Sequence, residues 1–130
     1  WKYKLGSYLS SPILINGVIY RGVFGGIIAQ DAQHGKVLWS YDTILPRVDG
    51  TPAYANGVVF AGDNGGHLYA INAKNGKEMW KLYLGDGEYN PRRDNPEIST
   101  TPIIANDILY ITLLKHNFGE DFSTLLKSFK

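Results

Sequence analysis

Two segments of this chain are near-copies of one another. Ala29-x-Asp31-x-x-x-Gly35-Lys36-x-x-Trp39 recurs as Ala70-x-Asn72-x-x-x-Gly76-Lys77-x-x-Trp80. The copies extend outward. Ser11-Pro12 recurs as Thr51-Pro52 and Thr101-Pro102, Asn16-Gly17 as Asn56-Gly57 and Asn106-Asp107, and Tyr20 as Phe60 and Tyr110. Pro12 and Pro52 lie 40 residues apart, and Trp39 and Trp80 lie 41 apart. The extra residue falls between Gly22 and Gly62 on one side and the third strands on the other. A turn absorbs one residue, whereas a strand would have every side chain moved to its other face. A period near 40 leaves propeller blades and helical arrays as the architectures to weigh.

Strand chemistry decides between them. Pro12-Ile13-Leu14-Ile15 and Val18-Ile19-Tyr20 are β-branched and aromatic, and Asn-Gly joins them. Such a pair predicts a hairpin, because a type I′ turn needs positive φ at both central residues. Residues 67–71 read as a third strand and 78–84 as a fourth; no stretch carries a sustained helical period with caps. The chain is therefore expected to be all-β: a β-propeller segment of about three four-stranded antiparallel blades. Residues 1–5 read as an outer strand of a preceding or closing blade, 8–41 and 49–84 as complete blades, and 99–130 as an incomplete one. The chain opens on Trp1 instead of Met and reads as a piece of a larger propeller; a first strand that completes the last blade would instead close a small ring.

Composition narrows the function classes. Thirteen Lys and Arg against twelve Asp and Glu give a net charge of +1, which provides no electrostatic footprint for nucleic acid. No apolar run approaches the length of a transmembrane helix. With zero cysteines, disulfides and thiolate metal sites are excluded from this segment.

Each motif residue has a physical task. Gly35 and Gly76 fit turns that need positive φ. Asp31 and Asn72 suit bonds to amides of their own turns. Trp39 and Trp80, with Trp1 in the same register, each offer an apolar plate and one N–H donor. Ala29 and Ala70 precede the turns, and Lys36 and Lys77 follow them. The full pattern, with Ser-Pro, Asn-Gly and Gly-x-Leu-Tyr-Ala before it, resembles the tryptophan-docking repeat of pyrroloquinoline quinone (PQQ)-type β-propellers. The likeness spans residues 1–84 well and 99–111 moderately; beyond Thr112 the pattern departs, and no Gly-Lys-x-x-Trp follows.

That resemblance implies one of two functions. In quinoprotein dehydrogenases of the family, the propeller holds PQQ and Ca²⁺ at its axis through acidic and amide ligands, with an Asp base. Non-catalytic relatives, such as the propeller lipoprotein of the outer-membrane β-barrel assembly machinery, keep the repeat without the cofactor. The reading taken here is the second: a scaffold that binds a protein or small ligand through face loops, exported or periplasmic, with no catalytic, cofactor or metal residues in this segment and the remaining blades as its first partners. The alternative is a segment of a PQQ- and Ca-dependent alcohol or sugar dehydrogenase.

Other candidates read as structure. Asp31, Asp42, Asp49, Asp63 and Asp86 sit at turns. Asp63-Asn64-Gly65-Gly66 looks like the start of a calcium loop but lacks the acidic residue at its far end. His34, His67 and His116 share no ligand spacing and read as turn or surface histidines. The non-repeat element is the insertion from Glu88 to Glu97. It carries Tyr89, Arg92, Arg93 and Asp94, and its arginine forks suit carboxylates or phosphates. This is the candidate partner loop, since binding residues concentrate in loops on rigid scaffolds. A second insertion, residues 115–121, lengthens a turn.

Overall fold

Among the described residues, three antiparallel sheets succeed one another along the chain. The computed structural model describes residues 10–93, 95–98, 100–115 and 121–128; Lys115 and residues 121–128 are described as backbone. The first sheet runs β1 (Ile13–Ile15), β2 (Val18–Val23), β3 (Gly26–Asp31) and β4 (Val37–Asp42); the second runs β5 (Ala53–Ala55), β6 (Val58–Gly62), β7 (His67–Asn72) and β8 (Glu78–Tyr83). The third holds β9 (Ile103–Ala105), β10 (Ile108–Lys115) and β11 (Asp121–Ser128), with β10 central. The expected outer strand at residues 1–5 and the register of Trp1 lie outside the described residues, as does His116.

The opening hairpin is the same in all three sheets. Ile13 pairs with Tyr20, Ala53 with Phe60 and Ile103 with Tyr110. Its central residues have positive φ: 49° and 79° at Asn16 and Gly17, 49° and 78° at Asn56 and Gly57, and 51° and 60° at Asn106 and Asp107. Asn and Asp tolerate this region better than other L residues, so the third copy keeps the turn without a glycine.

Both complete sheets carry a bulge at one place. Ala29 pairs with Trp39 but Gln30 with Val37; Ala70 pairs with Trp80 but Ile71 with Glu78. The extra residues, Leu38 and Met79, are exposed. Two residues opposite one rotate the outer strand locally. Ala29 and Ala70 lie directly opposite Trp39 and Trp80 and so share their face of the sheet, where the small side chain leaves room for the ring.

The core lies between sheets. One cluster joins the first two sheets through Tyr20, Ile27, Ala29 and Trp39 against Val59, Ala61, Tyr69, Ile71 and Ala73. A second joins the next two through Phe60, Leu68 and Ala70 against Leu109, Ile111 and Leu113. Strands β3 and β7 are buried on both faces, which is why they read as nearly continuous apolar runs.

The connections between sheets re-enter over glycine. A Cβ on Gly22 would stand 2.6 Å from Val48 Cγ1, and one on Gly62 would stand 2.2 Å from Ile98 Cγ2. Val48 and Ile98 are buried at equivalent positions. Each glycine is thus a seat for the segment that crosses to the next sheet. Gly22 and Gly62 correspond in the two repeats, and this close approach is the physical reason for both.

Candidate functional site

The motif turns close through their own acidic or amide side chains. Asp31 accepts from the amides of Gln33 (3.3 Å) and His34 (3.0 Å) and from His34 Nδ1 (2.9 Å); Asn72 Oδ1 accepts from the Lys74 amide at 2.9 Å. Chiefly the hydrogen bond from the His34 ring holds the Asp31 carboxyl below its ordinary range. Gly35 and Gly76 donate to the carbonyls of Asp31 and Asn72, both at 2.8 Å, and the carbonyls of Lys36 and Lys77 accept in return. The two lysine side chains are exposed.

Trp39 reaches across to the next sheet. Its Nε1 donates to the Ala73 carbonyl at 2.8 Å. Its ring lies on Gly76, where a Cβ would stand 2.7 Å from Cγ and Cδ2. Tyr20 leans against the same ring at 6.0 Å and stacks on Tyr54 at 5.9 Å. Trp80, in the equivalent place on the second sheet, is half-buried and tilted against Phe60 at 5.9 Å.

The polar chemistry gathers at the other end of the sheets, around the β6–β7 turn. Asp63 is fully buried. Its Oδ1 accepts from the amides of Gly65 (2.9 Å) and His67 (3.0 Å) and faces His67 Nδ1 at 3.2 Å. Its Oδ2 accepts from Tyr69 Oη (2.6 Å) and the Leu45 amide (3.2 Å). Burial alone would raise this carboxyl, but the hydrogen bonds from His67 and Tyr69 hold it below its ordinary range. Burial, then the bond to Asp63, drives the Tyr69 phenol far above its ordinary value. Tyr69 Oη also accepts from the Ile44 amide at 2.9 Å, and Ile98 donates to the Asp63 carbonyl at 3.1 Å. One turn therefore grips the connection entering the second sheet and the one leaving it.

The turn reading of Asp63 agrees with this geometry, but the surface reading of His67 does not. His67 is 3% exposed. It is enclosed by Tyr69, Tyr83 and Tyr89, with ring centroids at 6.3, 5.4 and 4.4 Å. The signal for this burial lies in the difference between the two repeats: His67, Tyr69 and Tyr83 stand where the first copy has Gly26, Ile28 and Asp42.

The partner-loop candidates divide. Tyr89 turns inward, edge-on to His67. Arg92 and Arg93 are exposed, and Asp94 lies outside the described residues. The loop is closed by its asparagines. Asn90 accepts from the Arg92 amide through Oδ1 (2.9 Å) and from the Arg93 amide through its carbonyl (3.1 Å). Asn95 Nδ2 donates to the carbonyls of Asn90 (2.9 Å) and Arg93 (3.0 Å), and its Oδ1 accepts from Tyr83 Oη at 2.6 Å. An open cleft of about 540 Å³ borders Glu88, Tyr89, Asn90, Pro91 and Arg93.

Among the described residues, no three His, Cys, Asp or Glu come together. Among the described residues the fully buried carboxylate, Asp63, has both oxygens engaged by protein donors, so it offers no ligand without breaking the turn. Among the described residues no helix is long and apolar enough to cross a membrane.

Comparison with known proteins agrees with this architecture. A family model described as outer membrane protein assembly factor BamB matches residues 1–119. A quinoprotein ethanol dehydrogenase of Pseudomonas putida is 38% identical over 90 residues, covering 68% of this chain and 14% of the relative. This chain thus spans about a seventh of that relative's length. Among solved structures, the quinohemoprotein alcohol dehydrogenase ADHIIG of Pseudomonas putida superposes with a TM-score of 0.75 at 24% identity, over 95% of this chain and 20% of that one. BamB of Moraxella catarrhalis superposes with a TM-score of 0.69 at 21% identity, over 90% of this chain and 36% of that one. The sheets are propeller blades.

Proposed function

The chain belongs to the PQQ-type β-propeller repeat family, and from that premise we propose that it is part of a non-catalytic propeller scaffold that binds a protein partner through the connection between its second and third blades. The observation that carries this reading is the placement of Arg92 and Arg93. They stand exposed on a turn closed by Asn90 and Asn95, at the end of the blades where the polar groups gather. Guanidinium forks on a rigid support recognise carboxylates or phosphates in a fixed orientation. Further blades complete the ring and cover the faces left open by this segment. The indoles of Trp39 and Trp80 serve in this scaffold as inter-blade docking groups. The family description names an outer-membrane assembly factor, which supports an exported location.

A second reading is a segment of a quinoprotein dehydrogenase, favoured by the 38% identity to the Pseudomonas putida enzyme. Under it, PQQ and Ca²⁺ would be held by residues other than the described ones, and this segment would supply blade scaffold.

The two readings separate in the full-length protein. A scaffold shows no saturable PQQ binding with Ca²⁺ and no dye-linked alcohol oxidation. A photo-cross-linker at position 88, which borders the same cleft as Arg93 and leaves both arginines in place, should capture a discrete partner from the cell envelope, and capture should be lost when Arg92 and Arg93 are changed to Ala. Saturable PQQ binding with dye-linked turnover would replace this reading with the second.

A further inference from the structure

The repeat provides an internal control. Where two blades need the same residue to be blades, the copies agree: Trp39 and Trp80, Gly22 and Gly62, Ala29 and Ala70. They disagree together at Gly26/His67, Ile28/Tyr69 and Asp42/Tyr83, and at the neighbouring turn that supplies Asp63. Every one of these substitutions in the second copy lies around one imidazole. The first blade builds the same four strands without them, so blade architecture does not require them. What the second blade has and the first lacks is the long connection beyond its outer strand.

That connection rests on the altered positions. Tyr89 stands edge-on to His67 at 4.4 Å and edge-on to Tyr83 at 5.4 Å. Tyr83 Oη holds Asn95, which closes the turn bearing the arginines. Asp63 sets the orientation of the imidazole through Nδ1. Pro96 lies against the Gly66 backbone, where a Cβ would meet its carbonyl oxygen at 2.8 Å. We propose that His67, oriented by Asp63, is the positioning residue that anchors residues 85–93 through Tyr89 and so presents Arg92 and Arg93 in a preformed binding geometry. This rests on the partner-binding reading above and specifies it: the loop is ordered before its arginines meet a carboxylate group of a partner, so less conformational entropy is lost on contact.

Limited trypsin digestion tests the anchor without any partner. Cleavage after Arg92 and Arg93 requires the loop to open locally. Cleavage after Lys74 and Lys77, exposed in the β7–β8 turn, serves as an internal reference in the same molecule. In the full-length protein, Tyr89→Ala and His67→Leu should each raise the ratio of loop to reference cleavage roughly tenfold, because the open population sets the rate when reclosure is fast. Tyr89→Phe keeps the ring and should leave the ratio at the parental value. A parental ratio for Tyr89→Ala, or a rise for Tyr89→Phe equal to that of Tyr89→Ala, overturns the anchor. Since no partner enters the assay, failure here is separate from failure of the cross-link at position 88.

Discussion

The contact between Trp39 and the next blade can be weighed by comparing two glycines in the same blade. Gly57 and Gly76 have nearly the same backbone, with φ of 78° and 74°. An alanine at either carries the penalty of a left-handed L residue, about 1–2 kcal/mol. Their surroundings differ. A Cβ at Gly57 enters open space, whereas one at Gly76 stands 2.7 Å from two atoms of the Trp39 ring. The ring cannot yield freely, because Nε1 is tied to Ala73 and Tyr20 leans on its face. Forcing a methyl into such a contact costs about 1–3 kcal/mol more. Gly57→Ala should therefore cost about 1–2 kcal/mol, and Gly76→Ala about 2–5 kcal/mol. Urea denaturation followed by far-UV circular dichroism reads both. The excess at Gly76 should vanish in a Trp39→Ala background, since a double-mutant cycle isolates the pairwise contact. Equal costs for the two glycine variants, or an excess that survives without the indole, would refute the docking of the ring on this turn.

Three further outcomes follow from the same geometry. Trp39→Ala should cost about 3–5 kcal/mol and Trp80→Ala measurably less, because Trp39 is 9% exposed and Trp80 is half-buried; a larger loss at Trp80 in the same denaturation series would contradict this order. Gly62→Ala should destabilise by about 1–3 kcal/mol through its clash with Ile98, and Ile98→Ala in the same chain should remove most of that excess. The third concerns pH. The Asp63 carboxyl is held below its unfolded value, so its contribution to stability is complete above the unfolded range and is lost as pH falls through the lower, folded value. The urea midpoint should decline on acidification below about pH 4, and Asp63→Asn should flatten that decline while lowering stability at neutral pH; an unchanged acid limb would show that another carboxyl carries it.

Much of the fold was legible because its determinants are local. Asn16-Gly17 and its copies specify a turn with positive φ, and the turn specifies the register of the strands beside it. The motif turns likewise close within five residues, through Asp31 and Asn72 on their own amides. The candidate site was legible only in outline. The insertion stood out as non-repeat sequence, and Arg92 and Arg93 could be placed on a loop. The inward turn of Tyr89 and the burial of His67 could not be read. A histidine at a strand start looks the same whether water or three tyrosines surround it, and those tyrosines come from its own strand, the next strand and a loop.

The sequence by itself determined strand order, hairpin geometry and the period that makes each sheet a copy of the last, because backbone conformational preference acts between neighbours in the chain. Only the tertiary structure decided which carbonyl receives the Trp39 indole, which residue sits over Gly62, and why one buried aspartate grips two connections. Those contacts join residues 34 to 36 positions apart or tie a turn to segments on either side of it. They arise when one sheet's face is pressed on the next, an event that leaves no periodic trace in the order of the residues.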